Sequence, residues 1–317
     1  MTQAFATETA LCGPWRHPRQ MLAEQTYDGH ASLHDDAKAA ELGFSGAPIE
    51  GPTHFSQFDP LLYRLWGPDW FARGCISSHF QTMCVEGDQV RAFVALPASG
   101  MAADTKLVRI WAEKQDGAQV LTGTASLGPD HPETELDARR ARLKPHGPLV
   151  VLRDLKTGPL PGVEPAVMAA DQHMGDLYPF SLAGKLKLIT EPSPLYTADG
   201  AAGGPFDGAI IPFEMVSVLS YYGSKGADIP VRKPSIGLFA DLEIRMVDGP
   251  LHVGRPYEIA REIVALSDSR RTESYWLRTT IRDPGNGPVR AITLLNSAVL
   301  KESYPDYHAE LEAMGGA

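Results

Sequence analysis

Residues 48–51 read Pro48-Ile49-Glu50-Gly51 and precede an apolar, helix-like run from Pro52 to Trp66. The same order returns later in the chain, where Pro205-Phe206-Asp207-Gly208 precedes a second such run from Ala209 to Tyr222. Both stretches follow the order proline, apolar residue, acid, glycine, helix. Because a repeated supersecondary unit determines a whole architecture, we predict that the chain consists of two copies of one unit.

Strand-like segments follow each predicted helix. Alternating apolar and polar residues predict strands at 75–82, 89–94, 106–114 and 119–127 in the first copy, and at 236–247, 255–265, 272–282 and 289–300 in the second. Each copy is therefore expected to be a long helix followed by a four-strand antiparallel meander. A sheet with one apolar face must be covered, and a single long helix can cover it. The predicted fold class is α+β.

A connector separates the two copies. Turns rich in proline and glycine, at 128–132, 145–148 and 158–162, flank a short polar segment. Long connections of this kind are typical of domain boundaries. We therefore predict an N-terminal unit at residues 1–130, a linker at 131–168 and a C-terminal unit at 169–317.

Composition excludes several classes of protein. The chain has 317 residues and a net charge of −10, which argues against a general nucleic-acid binder. Cys12, Cys75 and Cys84 are odd in number and far apart, so we expect neither a disulfide framework nor a metal site. The start of the chain lacks a signal-peptide pattern, and no apolar run is long enough to span a bilayer. We therefore expect a cytoplasmic protein that does not associate with membranes.

Residues 27–127 carry a family resemblance. His34-Asp35-Asp36-Ala37 leads to Leu42-Gly43-Phe44 and then to the glycine before the helix, and Glu86-Gly87-Asp88 opens a later strand. This progression resembles the MaoC-like family of acyl-CoA hydratases and dehydratases. The resemblance implies a double hotdog fold, in which two fused hotdog units each have a long helix wrapped by an antiparallel sheet. It also implies that the first unit is the catalytic half, while the diverged second unit supplies substrate wall.

The resemblance also implies a catalytic loop, with one departure. The family pattern is Asp-x-Asn-Pro-x-His, and aligning His34 on its histidine puts Gly29 where the Asp should stand. Asp28 is one position early, and His30 is the other group that could replace the missing acid. Histidine titrates near neutrality and suits proton transfer. We therefore predict His34, Asp28 and His30 as catalytic candidates, without a choice between the last two.

The mouth of the first helix provides candidate binding residues. A glycine at position 51 lets a ligand carbonyl approach backbone N–H groups at the helix N-terminus, where an enolate-like oxyanion would be stabilised. Glu50 precedes it and could touch substrate or act as an acid or base, or could only stabilise the helix dipole. His54 lies one turn on, and Tyr27 could close the pocket wall. We assign all four to substrate and oxyanion binding.

The predicted activity is addition or removal of water at a 2-enoyl or 3-hydroxyacyl thioester, which makes the protein a hydro-lyase. The expected partner is a small acyl thioester carried on CoA, and no cofactor or metal is expected. Two alternatives stay open. One is a hotdog thioesterase, for which Glu50, Asp59 and Glu214 are the available acids, and the other is a non-catalytic protein that binds acyl ligands. Glu214 stands in an otherwise apolar helix, so if it is buried it needs a partner or a raised pKa. Apolar outer faces lead us to expect a homodimer of the whole chain.

Overall fold

The computed structural model describes residues 4–27, 30–31, 33–41, 46–96, 105–222 and 229–315. The strands are β1 (Phe5–Ala6), β2 (Ala10–Cys12), β3 (Thr26–Tyr27), β4 (His30–Ala31), β5 (Gly74–Phe80), β6 (Val90–Ala95), β7 (Leu107–Lys114), β8 (Gln119–Leu127), β9 (Gly158–Pro159), β10 (Glu164–Val167), β11 (Gly237–Met246), β12 (Pro256–Asp268), β13 (Thr272–Arg282) and β14 (Val289–Leu300). The α-helices are α1 (Asp36–Glu41), α2 (Asp59–Trp66), α3 (Asp69–Arg73), α4 (Glu135–Ala141), α5 (Leu182–Leu186), α6 (Ala198–Ala201), α7 (Phe213–Tyr222) and α8 (Tyr307–Ala313). Three 3-10 helices cover Gly51–Gln57, Pro194–Tyr196 and Lys301–Ser303.

The two halves build one continuous antiparallel sheet of 12 strands. Its strand order is β1-β2-β6-β7-β8-β5-β11-β14-β13-β12-β10, with β9 paired to β12 beside this path. Strands β3 and β4 form a separate two-stranded sheet. All eight predicted long strands are present, with ends that differ by a few residues.

The repeat predicted from sequence is visible in the strand order. The first half runs β6-β7-β8-β5 and the second half runs β12-β13-β14-β11, so both place their first strand beside their last. The expected simple meander is therefore wrong in one respect. The last three strands of each half form consecutive hairpins, and the first strand adds to the free edge of the last. Its other edge stays available, and β5 and β11 use it to pair with each other.

The first predicted helix is interrupted. In place of one helix from Pro52 to Trp66, a 3-10 helix ends at Gln57 and α2 begins at Asp59. Pro60 explains the break, because it has no N–H to donate to a preceding carbonyl and is tolerated only in a first turn. The second helix also starts later than predicted. Residues 209–211 instead hydrogen-bond to residues 251–253, and α7 begins after Pro212.

The central helices pack against each other inside the sheet. The 3-10 helix Gly51–Gln57 contacts α7, so the two halves share one core cluster. Trp70 and Phe213 stack with ring centroids 4.4 Å apart, which joins α3 of the first half to α7 of the second. None of the helices in the described part of the chain is long and apolar enough to cross a membrane.

The segment between the predicted units contributes to both. Helix α4 lies against the outer face of the sheet, where Leu136 is fully buried with Trp276 and Leu294. Residues 149–152 are buried against the inner face of the second half. The predicted division at 1–130, 131–168 and 169–317 stays a prediction; in the middle segment Leu136 and residues 149–152 are buried, while residues 144–148 are exposed.

A buried carboxylate lies at the seam between the halves. Asp241 on β11 has no exposed surface and lies opposite His79 on β5. Its carboxylate is 2.8 Å from His79 Nδ1, accepts a 2.7 Å hydrogen bond from Asn296 Nδ2, and lies 2.8 Å from Arg139 Nε. One acid thus connects β5, β11, β14 and α4.

We expect Asp241→Ala to lower the free energy of unfolding by about 2 kcal/mol or more, because it leaves these donors without their acceptor. Chemical denaturation followed by fluorescence measures this loss. The matched control is Asp248→Ala, which removes a carboxylate that is 65% exposed at the end of the same strand, and should change stability by less than about 0.5 kcal/mol. Equal effects of the two changes would contradict the role assigned to the seam.

Candidate active site

A cavity of about 320 Å³ lies at the N-terminal end of the 3-10 helix Gly51–Gln57. Both halves of the chain line it. From the first half come His34, Glu50, Gly51, His54 and Phe80, and from the second Tyr178, Leu238, Phe239 and Ala298. Most of the wall is apolar, with a few polar groups on one side. This composition is typical of a small-molecule site, at the lower end of the usual range of about 300–1,000 Å³.

His34 enters the cavity from the turn before α1. Its Nδ1 lies 2.5 Å from the carbonyl oxygen of Pro48. Because a carbonyl oxygen can only accept, Nδ1 carries the proton and the neutral ring has its lone pair on Nε2. Burial lowers the pKa of His34, and the bond to Pro48 opposes this only in part. The imidazole is therefore a neutral base at physiological pH.

Two side chains hold the loop that carries His34 against residues 46–50. Gln20 Nε2 donates to the carbonyl oxygens of His34 and Pro48, at 3.3 and 3.0 Å. Asp36 Oδ1 accepts from the backbone N–H of Ala47 at 2.9 Å. Asp36 is the first residue of α1, and its carboxylate connects that helix to the segment that leads to Glu50.

Glu50 lines the cavity directly before the 3-10 helix. The residue is partly exposed, and the Tyr178 hydroxyl donates a hydrogen bond to its carboxyl. Burial of the carboxyl raises the pKa of Glu50 to about 7, while Lys185 lowers it and Glu214 raises it further. A carboxyl with such a pKa carries a proton on a substantial fraction of molecules at neutrality, so it can act as an acid as well as a base.

Gly51 lies under the ring of Phe80. A Cβ at position 51 would be 2.7 Å from two atoms of that ring, so a side chain there would displace it. Of the first N–H groups of the 3-10 helix, Pro52 has none and that of Thr53 bonds to the Glu50 carbonyl. The N–H of Gly51 makes no hydrogen bond with another described residue. The oxyanion donor predicted here is thus reduced to one backbone group.

His54 is 1% exposed and also lines the cavity. Its Nδ1 is 3.4 Å from Gln57 Nε2, a long contact. Burial, followed by the nearby charge of Lys185, lowers the pKa of His54 to about 4. This imidazole is therefore neutral throughout the physiological range and suits a binding role better than a proton-donating one.

Lys185 and Tyr178 are site residues that the sequence analysis missed. Lys185 Nζ donates to Thr53 Oγ1 at 3.1 Å and lies 3.8 Å from Glu214 Oε1. Glu214, whose placement in an apolar helix indicated a raised pKa if buried, is 2% exposed, and burial raises its pKa to about 7. A signal for Lys185 existed, since Leu182 and Lys185 lie three apart on the buried face of α5.

Three predicted residues are not described in full. The main chain of Tyr27 and His30 forms the β3–β4 pair, in which these two residues are partners. Their side chains, and the whole of Asp28, lie outside the described residues, so their roles stay predictions. Within the described ranges, no group of three or more His, Cys, Asp or Glu residues is placed to hold a metal ion.

Comparison with known proteins places the fold. No protein-family model and no curated protein matches the chain. Among solved structures, it is similar to a MaoC domain protein of Chloroflexus aurantiacus, described as a dehydratase, with 14% identity and a TM-score of 0.53 over 93% of this chain and 95% of that one. It is also similar to a conserved hypothetical protein of Mycobacterium tuberculosis, described as having a double hotdog fold, with 13% identity and a TM-score of 0.51 over 90% and 94% of the two chains. The chain is therefore a double hotdog protein, with the fold seen in MaoC-like dehydratases.

Proposed function

We propose that the protein is a hydro-lyase that adds water to a 2-enoyl thioester, or removes it from a 3-hydroxyacyl thioester, with the acyl group carried on CoA. One observation supports this most strongly. A neutral histidine base, His34, and a carboxyl that holds a proton near neutrality, Glu50, line the same largely apolar cavity. Hydration needs a base and an acid of this kind and no nucleophilic side chain.

The roles follow from the chemistry of hydration. His34 Nε2 accepts a proton from water while the water oxygen bonds to C3 of the enoyl group. Electrons of the C2–C3 double bond move toward the thioester carbonyl, and the N–H of Gly51 donates to the developing oxyanion. Protonated Glu50 then delivers its proton to C2. Dehydration is the reverse of these steps. Asp28 and His30 remain the alternative acids on the His34 loop.

The cavity also suggests which substrates to test first. Its volume of about 320 Å³ favours short acyl groups. Leu238, Phe239 and Ala298 supply apolar wall from the second half, in agreement with the expectation that this half binds substrate. His34 and Glu50 both belong to the first half. We therefore propose that the first half supplies the groups that transfer protons and the second half supplies apolar wall for the acyl group.

We expect the enoyl-thioester absorbance of short-chain 2-enoyl-CoA compounds to decay on mixing with the protein. His34→Ala and His34→Asn should each slow the decay by about 10²–10⁴-fold, because a general base contributes rate of this order. The Asn variant retains a donor for the Pro48 carbonyl and so separates chemistry from loop support. His308→Ala, at a histidine 73% exposed on α8, is the control and should have full activity.

Asp28→Ala, His30→Ala and Glu50→Gln identify the acid in the same assay. A large loss confined to Glu50→Gln supports the assignment above, whereas a loss confined to Asp28→Ala or His30→Ala moves the acid to the loop. Full activity of both His34 variants would contradict the proposed site.

The hydration rate is expected to fall on both the acid and the alkaline side of an optimum pH. Hydration needs His34 neutral and Glu50 protonated. The rate should therefore fall on the acid side, below the ordinary histidine range, because burial lowers the pKa of His34. It should fall again as pH rises through about 7, where Glu50 loses its proton. A plot of kcat/KM against pH measures both limbs, and an alkaline limb unchanged in Glu50→Gln would exclude Glu50 as its source.

Gly51→Ala tests the packing at the helix mouth. The added Cβ would meet the Phe80 ring at 2.7 Å, so the ring should move into the cavity and reduce kcat/KM on the order of 10- to 100-fold. The double variant Gly51→Ala/Phe80→Leu makes room for the methyl group and should recover part of the activity. No loss in the single variant would show that Phe80 does not shape the site.

A thioesterase is the second candidate, and the structure narrows it to one acid. Asp59 accepts from Trp70 Nε1 at 2.9 Å and from the Tyr196 hydroxyl at 3.0 Å within the core. Glu214 does not line the cavity, so of these three acids Glu50 is the one that faces a ligand. Release of free thiol, measured in parallel with absorbance, distinguishes hydrolysis from hydration. Binding without either signal would indicate the non-catalytic alternative.

A further inference from the structure

The second half buries two ionisable side chains next to the 3-10 helix that follows Glu50. Lys185 lies on α5 and Glu214 on α7, and their side chains are 6% and 1% exposed. The Ser181 hydroxyl accepts from Gly184 N at the start of α5 and fixes the turn that carries Lys185. Lys185 reaches across to the first half and donates to Thr53, three residues after Glu50. The two halves thus meet in a buried Lys185–Glu214 pair that contacts the 3-10 helix directly after the partly exposed Glu50.

We propose that Lys185 and Glu214 of the second half set the protonation state of Glu50 in the first half, as positioning residues for proton transfer at the cavity. This inference rests on the proposed function for its catalytic meaning. The effect of the second half on the protonation of Glu50 can be measured without reference to catalysis.

Lys185 supplies one positive charge for two acids, Glu50 and Glu214. If both carboxyls were ionised next to Lys185, a net negative charge would be buried, which is costly. One proton shared over Glu50 and Glu214 removes that charge. Burial raises the pKa of each carboxyl to about 7, and Lys185 lowers both. The pair therefore exchanges its proton in the pH range where the cavity would work.

Glu214 has weaker polar contacts than a structural acid has. Ser56 and Lys185 lie close enough to lower its pKa, but Lys185 Nζ is 3.8 Å away and neither carboxyl oxygen has a hydrogen bond of good geometry with another described residue. Asp59 is also buried, yet both of its oxygens accept hydrogen bonds. An unsatisfied buried carboxyl costs stability, so its presence beside the cavity favours an electrostatic role.

The other described groups near Glu50 are uncharged and so do not set its protonation state in this way. The Tyr178 hydroxyl donates to the carboxyl but carries no charge, and it lies on the segment before α5. His34 and His54 line the same cavity, and burial keeps both neutral. Among the described residues, Lys185 and Glu214 are therefore the charged groups that change the electrostatic potential at Glu50.

Infrared difference spectroscopy as a function of pH tests the proposal, because a protonated carboxyl has a carbonyl stretch that a carboxylate lacks. In Glu214→Gln, both Glu50 and the core residue Asp59, whose pKa burial raises to about 8, titrate near neutrality, and Glu50→Gln identifies the Glu50 band by its loss. We expect Lys185→Met/Glu214→Gln to move the Glu50 midpoint up by about 1 pH unit relative to Glu214→Gln. The double change also removes both partners of the ion pair, so it leaves no buried ammonium or carboxylate unpaired.

Two further variants complete a mutant cycle over Lys185 and Glu214. Lys185→Met alone should titrate at higher pH than the double variant, because Glu214 then opposes ionisation of Glu50 without the lysine between them. Lys187→Met/Glu214→Gln is the matched control, since Lys187 follows α5 directly and is exposed, and its midpoint should equal that of Glu214→Gln. Circular dichroism verifies that every variant is folded.

The alkaline limb of kcat/KM should move in the same directions, up for Lys185→Met and down for Glu214→Gln. A Glu50 midpoint that stays constant across the cycle overturns the proposal, even if the protein is an active hydratase. If no thioester reacts but the midpoint moves as expected, the proposed function fails while the control of Glu50 by the second half stands.

Discussion

The antiparallel pairing of β5 with β11 is the contact on which the rest of this structure depends. It joins the first strand of each half, so two sheets become one and their helices come together on the same side. Only in this arrangement does α7 contact the 3-10 helix before α2. The cavity then has walls from both halves, and the side chain of Lys185 reaches Thr53. Asp241 at the same seam adds polar contacts that hold the two strands and α4 in register.

The charges around the cavity contrast with the rest of the core. Asp59 shows how the chain buries an acid for structure, with both oxygens bonded and burial as the main cause that raises its pKa to about 8. Glu214 lies 3.8 Å from Lys185 without a hydrogen bond of good geometry, and the charge of the same lysine lowers the pKa of Glu50. Buried ion pairs contribute little net stability compared with well-packed apolar residues. A cluster of this kind beside a ligand-sized cavity is better explained by chemistry than by folding.

The cavity combines a histidine and a carboxyl that are distant in sequence. The bond from His34 Nδ1 to the Pro48 carbonyl fixes the tautomer that a base requires. The sequence around His34 resembles the MaoC-like pattern but has Gly29 where that pattern has an aspartate. Glu50, on the other side of α1, places a carboxyl at the same cavity. Proton transfer depends on where an acid lies in space, so its position in the sequence can change.

The sequence by itself determined the repeat, the eight long strands and the α+β class, because these depend on local periodicity and turn residues, and its resemblance to the MaoC-like family implied the double hotdog fold. It did not determine that each first strand pairs with its last or that Phe80 fills the space above Gly51, since these depend on contacts between distant segments. The break of the first helix before Pro60 is a local effect, which the apolar character of residues 52–66 concealed. Glu214 was noticeable as an acid in an apolar helix, but its partner lies 29 residues away on α5 and 132 residues separate that lysine from Thr53. Only the tertiary structure brought the three together, because a buried charge is defined by what surrounds it in space.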